Sequence, residues 1–337
     1  MPQLLMNLPL STAREAQTLL RRYLPVSRLI ATPALCAKTG SDVYLKVESD
    51  LPTGSFKPRG ALYALSLNTA RRPIHEVTAS STGNHGAAVA FAAKLFGIQA
   101  TIFLPANPNP VKRARIAALG AKIVEEGAAD LSAAFEQAAA CSRTQGFYFL
   151  NDATDPDLPA GPATIALEIF EQLPSVDTIV VPMGDTALIR GVAATAKHLS
   201  PTVRIIGVQA EQAPSYFLSW KHGQAVSTET CNTIADGLST RIPEPDNVRA
   251  ICELVDEVVL VTDDQLLAAI RHLALDEHII AEPAGAAATA ALLHAKFQCG
   301  RHTVLLVTGA NISPEVLRAA ICGADPLSVQ TKKKTNE

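Results

Sequence analysis

Between Glu76 and Leu150 short apolar runs alternate with stretches of helical period. Val77–Ala79 leads into Gly86–Lys94, and Ala100–Leu104 leads through a proline-rich loop into Lys112–Leu119. Ala121–Val124 precedes Leu131–Ser142, and Phe147–Leu150 closes the section. A strand that is apolar along its whole length needs cover on both faces, and the helix that follows each strand supplies it. The pattern therefore predicts an α/β chain built on parallel sheet. The segment Asn151–Ala163, rich in prolines and acids, reads as a crossing, with Asp152, Asp155 and Asp157 as solvated turn residues. Beyond it the alternation resumes. Thr164–Leu173, Ile189–Leu199, Leu266–Asp276 and Pro283–Phe297 are predicted helices; Thr178–Val181, Val203–Val208, Val258–Val261 and Thr303–Val307 are predicted strands. Near the start, Ser11–Leu24 is predicted helical, with Ser11 or Thr12 as cap and Pro25 as stop, and Asp42–Glu48 is expected as the first strand.

The totals narrow the function classes. At 337 residues the chain exceeds one ordinary core and fits about two domains. A formal charge of -3 gives no basic face for nucleic acid, and Lys332–Lys334 reads as part of a solvated tail. The cysteines at 36, 141, 231, 252, 299 and 322 form neither a Cys-x-x-Cys pair nor a zinc knuckle; reduced thiols in a cytoplasmic protein are expected, with no metal site. Met1–Met6 lacks the features of a signal peptide, and no apolar run approaches the roughly 18 residues of a membrane span.

Chemistry-bearing residues gather where strands hand over to helices, which is where open α/β sheets hold ligands. Ser55-Phe56-Lys57-Pro58-Arg59-Gly60 follows the Asp42–Glu48 strand. An amine at a helix start with Arg59 beside it is expected to have its charged form disfavoured, which suits covalent catalysis. Ser81-Thr82-Gly83-Asn84-His85-Gly86 offers backbone N–H groups and an amide to a carboxylate or phosphate, or is simply a capped turn. Gly184-Asp185-Thr186-Ala187-Leu188 suits a phosphate, except that a carboxylate at 185 repels one unless it turns away. Glu282 at a helix start can be a ligand or a favourable N-terminal charge, and Thr308 a partner for a heterocyclic nitrogen or a satisfied turn hydroxyl.

Five stretches taken in order resemble the motifs of the fold-type II pyridoxal-phosphate enzymes, nearest to the serine/threonine dehydratase and serine racemase group. They are Ser55–Gly60, Ser81–Gly86, Thr233-Ile234-Ala235-Asp236-Gly237, Glu282-Pro283-Ala284-Gly285 and Thr308-Gly309-Ala310-Asn311. The resemblance runs from about Thr32 to Asn311. It implies a tryptophan synthase β-like fold with two parallel-sheet α/β domains and pyridoxal 5'-phosphate in the cleft between them. Residues 1–75 and 151–337 would form the large domain and 76–150 the small inserted one. By position it implies Lys57 as the Schiff-base lysine and Phe56 against the cofactor ring. Asn84 would meet the ring hydroxyl, Gly184, Asp185, Thr186, Ala187 and Leu188 the phosphate, and Thr308 the ring nitrogen. Gly237 and Glu282 would also line the cofactor. Ser81, Thr82, Gly83, Asn84 and His85 would surround the substrate carboxylate, with Ser81 and Thr82 as further catalytic candidates. A homodimer acting on a small amino acid is implied, without nucleic acid or membrane.

Three departures from the family pattern stand out. The usual glycine run of the phosphate loop is reduced to Gly184, and the family's Gly-Gln-Gly-Thr is Gly161-Pro162-Ala163-Thr164. Gln209 and Ser215 stand where relatives place two acids on a divalent cation, so that site is expected to be lost or weakened. The chain ends soon after the last motif, so a regulatory domain is not expected. The implied reaction is β-elimination of water from a 3-hydroxy amino acid to a 2-oxo acid and ammonia. Racemisation through a second acid near Ser81 and Thr82 is the alternative, and a binding homologue without the chemistry is another.

Overall fold

The computed structural model describes residues 8–106, 108 and 110–323. The Met1–Met6 and Lys332–Lys334 readings lie outside the described residues.

Among the described residues ten strands form two sheets. In chain order they are β1 (Arg28–Ala31), β2 (Asp42–Val47), β3 (Glu76–Ser80), β4 (Gln99–Phe103), β5 (Lys122–Val124), β6 (Tyr148–Phe149), β7 (Thr178–Pro182), β8 (Arg204–Ala210), β9 (Glu257–Val261) and β10 (His302–Val307). One sheet has the order β1-β2-β10-β7-β8-β9 and the other β5-β4-β3-β6. All these pairings are parallel except β1 with β2.

The larger sheet is covered on both faces, as its unbroken apolar strands require. Val180, Leu305 and Val307 point to the side of the helices Asp263–Leu275 and Pro283–Leu293. Ile179, Val181, Val304 and Leu306 point the other way, onto the helices Ala160–Gln172 and Ala187–Leu199. In the smaller sheet Val77, Ala79 and Ile102 pack with the helices Lys57–Arg71 and Asn84–Phe96, while Phe103 faces the helix Leu131–Gln145. The helix Lys57–Arg71 thus starts beside the larger sheet and buries Leu62 and Leu65 in the core of the smaller one.

Several local readings need correction. β1 precedes the strand expected to be first and runs antiparallel to it. Its four residues begin with an exposed arginine and carry no turn chemistry that separates them from a loop. The first helix runs Leu10–Leu20 and is entered from Pro9 with no side-chain cap, so neither Ser11 nor Thr12 caps it. The expected crossing already contains the first turn of the helix Ala160–Gln172. Four short helices, Pro33–Thr39, Ser215–His222, Pro245–Leu254 and Pro314–Cys322, were not anticipated, because proline or a single serine marks their starts rather than a long apolar period.

Candidate active site

Parallel strands deliver their carboxyl ends to one edge, and the motifs meet there. β2 leads, through two short turns, to Lys57; β3 to Ser81; β7 to Gly184; and β10 to Thr308. Several contacts between motifs are made by the backbone. Ser55 bridges Gly309, Phe56 N–H donates to the Thr308 carbonyl at 3.0 Å, and Ala310 N–H donates to the Gly54 carbonyl at 2.9 Å. Small residues make these approaches possible. A Cβ at Gly184 would lie 2.1 Å from the Gly237 carbonyl oxygen, and one at Gly285 would lie 2.3 Å from the Gly309 carbonyl oxygen. Segments from opposite ends of the chain are thereby locked into one wall.

Lys57 is the first residue of its helix, and its amine donates to Asp152 Oδ2 at 2.9 Å, with the Phe56 ring centroid 5.5 Å away. The lysine keeps 20% of its side chain exposed. Burial pushes the amine down, but Asp152, Asp185 and Glu282 outweigh it, and the group is held above its ordinary value. This reverses the sequence expectation of a disfavoured charge. Arg59, the neighbour invoked for it, points away into a buried cluster with Glu48 and Glu168. Asp152, read as a solvated turn residue, is the lysine's partner, and that ion pair holds its carboxyl below the usual range against burial. The other two acids are also engaged. Asp155 accepts from the Tyr148 hydroxyl at 2.5 Å, and Asp157 pairs with Arg71 at 2.5 Å.

Asn84 opens the helix Asn84–Phe96 and links two motifs: its amide donates to Glu282 Oε1 at 2.6 Å and accepts from Asn311 at 2.5 Å. Burial pushes Glu282 up to about 7, in spite of the hydrogen bond from Asn84. Ser81 Oγ accepts from Gly83 N–H at 3.2 Å, with Thr82 between them at the partly exposed rim. His85 is buried, and its Nε2 lies 2.8 Å from the Leu150 carbonyl, so that nitrogen carries the proton. Burial pushes its imidazole below the ordinary value. Its ring therefore ties the Ser81–Gly86 turn to the end of β6.

In the loop after β7, Asp185 Oδ1 accepts from the Thr240 hydroxyl at 2.9 Å, which takes that oxygen out of play as a bare charge. Burial and then Asp152 push its carboxyl up to about 6. Thr186 holds a left-handed backbone, φ 67°, at the cap of the helix Ala187–Leu199, whose first residues are Ala187 and Leu188. Arg190 reaches back to it, Nε donating to Thr186 Oγ1 at 3.2 Å. Asn247 joins this loop to the one bearing Asp152, donating to the Ala153 carbonyl at 3.0 Å and to the Asp185 carbonyl at 3.4 Å. Sequence reasoning missed Asp152, Arg190 and Asn247. The usable signal was Arg190, an arginine set inside the apolar run Ala187–Val192.

The structure thus brings Phe56, Lys57, Asn84, Gly184, Asp185, Gly237, Glu282 and Thr308 to one edge. Gln209 and Ser215, by contrast, serve local backbone: Gln209 accepts from Phe217 N–H at 2.8 Å, and Ser215 donates to the Thr240 carbonyl at 2.6 Å. Among the described residues no group of three or more His, Cys, Asp or Glu is arranged to hold a metal.

The pyridoxal-phosphate dependent enzyme family matches residues 21–309. The chain belongs to that family. The L-threonine ammonia-lyase of Thermotoga maritima is 35% identical over 308 residues, covering 91% of this chain and 77% of that protein. The catabolic L-threonine dehydratase of Escherichia coli is 34% identical over 274 residues, covering 80% of this chain and 83% of that protein. Among solved structures, maize serine racemase superimposes with a TM-score of 0.86 at 28% identity, covering 93% of this chain and 97% of that one. A threonine deaminase from T.th. gives 0.85 at 30%, covering 91% and 99%. The fold is accordingly fold-type II, and the cofactor is pyridoxal 5'-phosphate. The residues fit it. A lysine amine, a neutral threonine and a helix start with a hydroxyl at its cap share one edge, and the buried hydroxyls of Ser55 and Ser80 beside them lack any protein partner. Such orphans are costly unless something polar completes them.

Proposed function

We propose that the protein converts a 3-hydroxy amino acid of the serine or threonine type to a 2-oxo acid and ammonia, by loss of the β-hydroxyl as water and hydrolysis of the resulting enamine. The observation that carries the reading is Lys57. It stands at the strand edge where the motifs converge, and its amine is fixed by Asp152. Relatives of the ammonia-lyase and dehydratase kind at 34–35% identity support the lyase class.

When bound, the cofactor supplies the electron sink that makes the substrate Cα–H acidic. In this reading Lys57 both carries the cofactor and takes the Cα proton, and Asp152 sets the orientation of its amine. Phe56 would pack beside the ring, Asn84 would meet the ring hydroxyl, and Gly237 and Glu282 would line the pocket. Thr308, buried and neutral, would meet the ring nitrogen without holding a proton on it, as a carboxylate there would. Gly184, Asp185, Thr186, Ala187 and Leu188 receive the phosphate. Ser81, Thr82, Gly83, Asn84 and His85 bind the substrate carboxylate through N–H and side-chain donors at the helix start. The proton that Lys57 takes from Cα balances the one the departing hydroxyl needs to leave as water.

Residues 1–75 and 151–337 act in this reading as the large domain and 76–150 as the small one. The protein works as a cytoplasmic homodimer, which sedimentation of the holoenzyme and cell fractionation check. Among the described residues no helix is long and apolar enough to cross a membrane. A panel of 3-hydroxy amino acids, assayed for oxo acid and for the chirality of recovered substrate, tests the reaction. Oxo acid from at least one is expected. None from any would contradict elimination, and inverted substrate without oxo acid would favour racemisation.

A further inference from the structure

The loop after β7 departs from the glycine-rich pattern, and Thr186 sits in a left-handed conformation that glycine adopts freely and a β-branched residue rarely does. Something has to hold it there, and Arg190 does. Side chains on a helix lean toward its N-terminus, so the fourth residue of the helix Ala187–Leu199 aims back at the cap. Its Nε donates to Thr186 Oγ1 at 3.2 Å, and Nη2 makes a long contact, 3.4 Å, with the Ala153 carbonyl.

Arg190 is only 5% exposed, and no described carboxylate oxygen lies within 4.0 Å of it. Asp185, its close neighbour in sequence, gives Oδ1 to Thr240 and, like Tyr216 and Asp246, acts on the guanidinium only through space, which does not outweigh burial. Burial pushes the guanidinium down to about 10, a measure of how poorly its charge is matched by the protein alone. A permanent cation buried one helical turn from an anion-binding N-terminus, and hydrogen-bonded to its cap, calls for an anion there.

We infer that Arg190 is a positioning residue for the cofactor's phosphate: it occupies a lone pair of the Thr186 hydroxyl, turns that hydroxyl's proton toward the phosphate, and offsets the phosphate's charge. Thr186 and Arg190 together would thereby replace the donors that a glycine run exposes. The inference rests on the cofactor reading above.

The test compares apoprotein affinities for pyridoxal 5'-phosphate and for pyridoxal, which lacks the phosphate, in wild type, Arg190→Met and Arg190→Lys. The expected result is a loss of about tenfold to a hundredfold for pyridoxal phosphate in Arg190→Met, with pyridoxal affinity unchanged. Arg190→Lys, which keeps the charge and loses the Nε donor, should fall between, and serves alone if the methionine variant does not fold. The phosphorus-31 resonance of the holoenzyme gives a readout independent of turnover: flat with pH in wild type, titrating toward the free-phosphate value of about 6 in Arg190→Met, and shifted less in Arg190→Lys. Equal weakening toward both ligands, or toward neither, would overturn the inference. Wild-type apoprotein that binds neither ligand would instead overturn the cofactor reading itself, and the two failures are told apart by which protein shows them.

Discussion

Lys57 and Arg59 stand two residues apart on the same helical turn, yet their surroundings are opposites. Arg59 is matched on every side: Nε pairs with Glu48 at 2.7 Å, Nη1 with Glu168 at 2.7 Å, and Lys46 closes the group on Glu168 at 2.7 Å. Two cations meet two anions there, and the Ser27 and Thr164 hydroxyls fill remaining sites. Lys57 faces an excess of acid, with Asp152 in contact and Asp185 and Glu282 nearby. The first cluster has nothing left to bind, and the second is unbalanced, with two of its carboxyls pushed up to about 6 and about 7. A fully paired group fixes position; an unbalanced one is ready to exchange protons and to receive a ligand.

Substitutions that split stability from chemistry sharpen this contrast. Arg59→Met leaves Glu48 and Glu168 buried with only Lys46 to answer them, and should cost about 3–5 kcal/mol of stability, read from denaturant unfolding. If the protein with Arg59→Met melted like wild type, the cluster would not be the anchor described here. Asp152→Asn removes a single, partly exposed ion pair and should cost less in unfolding than Arg59→Met. By removing the contact that raises the amine, it should lower the pKa of Lys57, so that pyridoxal reacts faster with the apoprotein near neutral pH. An unchanged pH profile for that reaction would separate Asp152 from the lysine.

A smaller effect concerns pH. Glu282 and Asp185 have folded values above their unfolded ones, so the folded state favours their protonated forms. Their contribution is present at low pH and is lost as pH rises, from about 4 to about 6 for Asp185 and from about 4.5 to about 7 for Glu282. In Glu282→Gln the apoprotein's melting temperature should fall less between about pH 5 and pH 8 than in wild type; an identical slope would contradict the assignment. The smallest expected effect is Thr186→Gly. Relief of the left-handed strain is offset by glycine's entropy and by the buried Arg190 losing its acceptor, so apoprotein stability should change by less than about 1 kcal/mol while pyridoxal phosphate binding weakens.

These contrasts also show what the sequence made legible. The βα alternation and the order of the five motifs disclosed the architecture and the strand edge at which the motifs meet, because strand period and glycine placement are local signals. The short β1 was illegible, since four residues beginning with an exposed arginine look like loop. The charge environment of Lys57 was misread for another reason. Arg59 is adjacent in sequence, while Asp152 and Asp185 arrive from distant loops, and their reach depends on Asn247 joining those loops. Arg190 carried a visible signal, a cation inside an apolar helix face, but its meaning required the backbone of Thr186.

Borohydride reduction of the holoenzyme followed by peptide mapping addresses the central claim directly. A single reduced cofactor adduct on Lys57, with loss of the visible absorbance, is predicted. An adduct on another lysine, such as the buried Lys46, or a purified protein that takes up no pyridoxal phosphate, would contradict it.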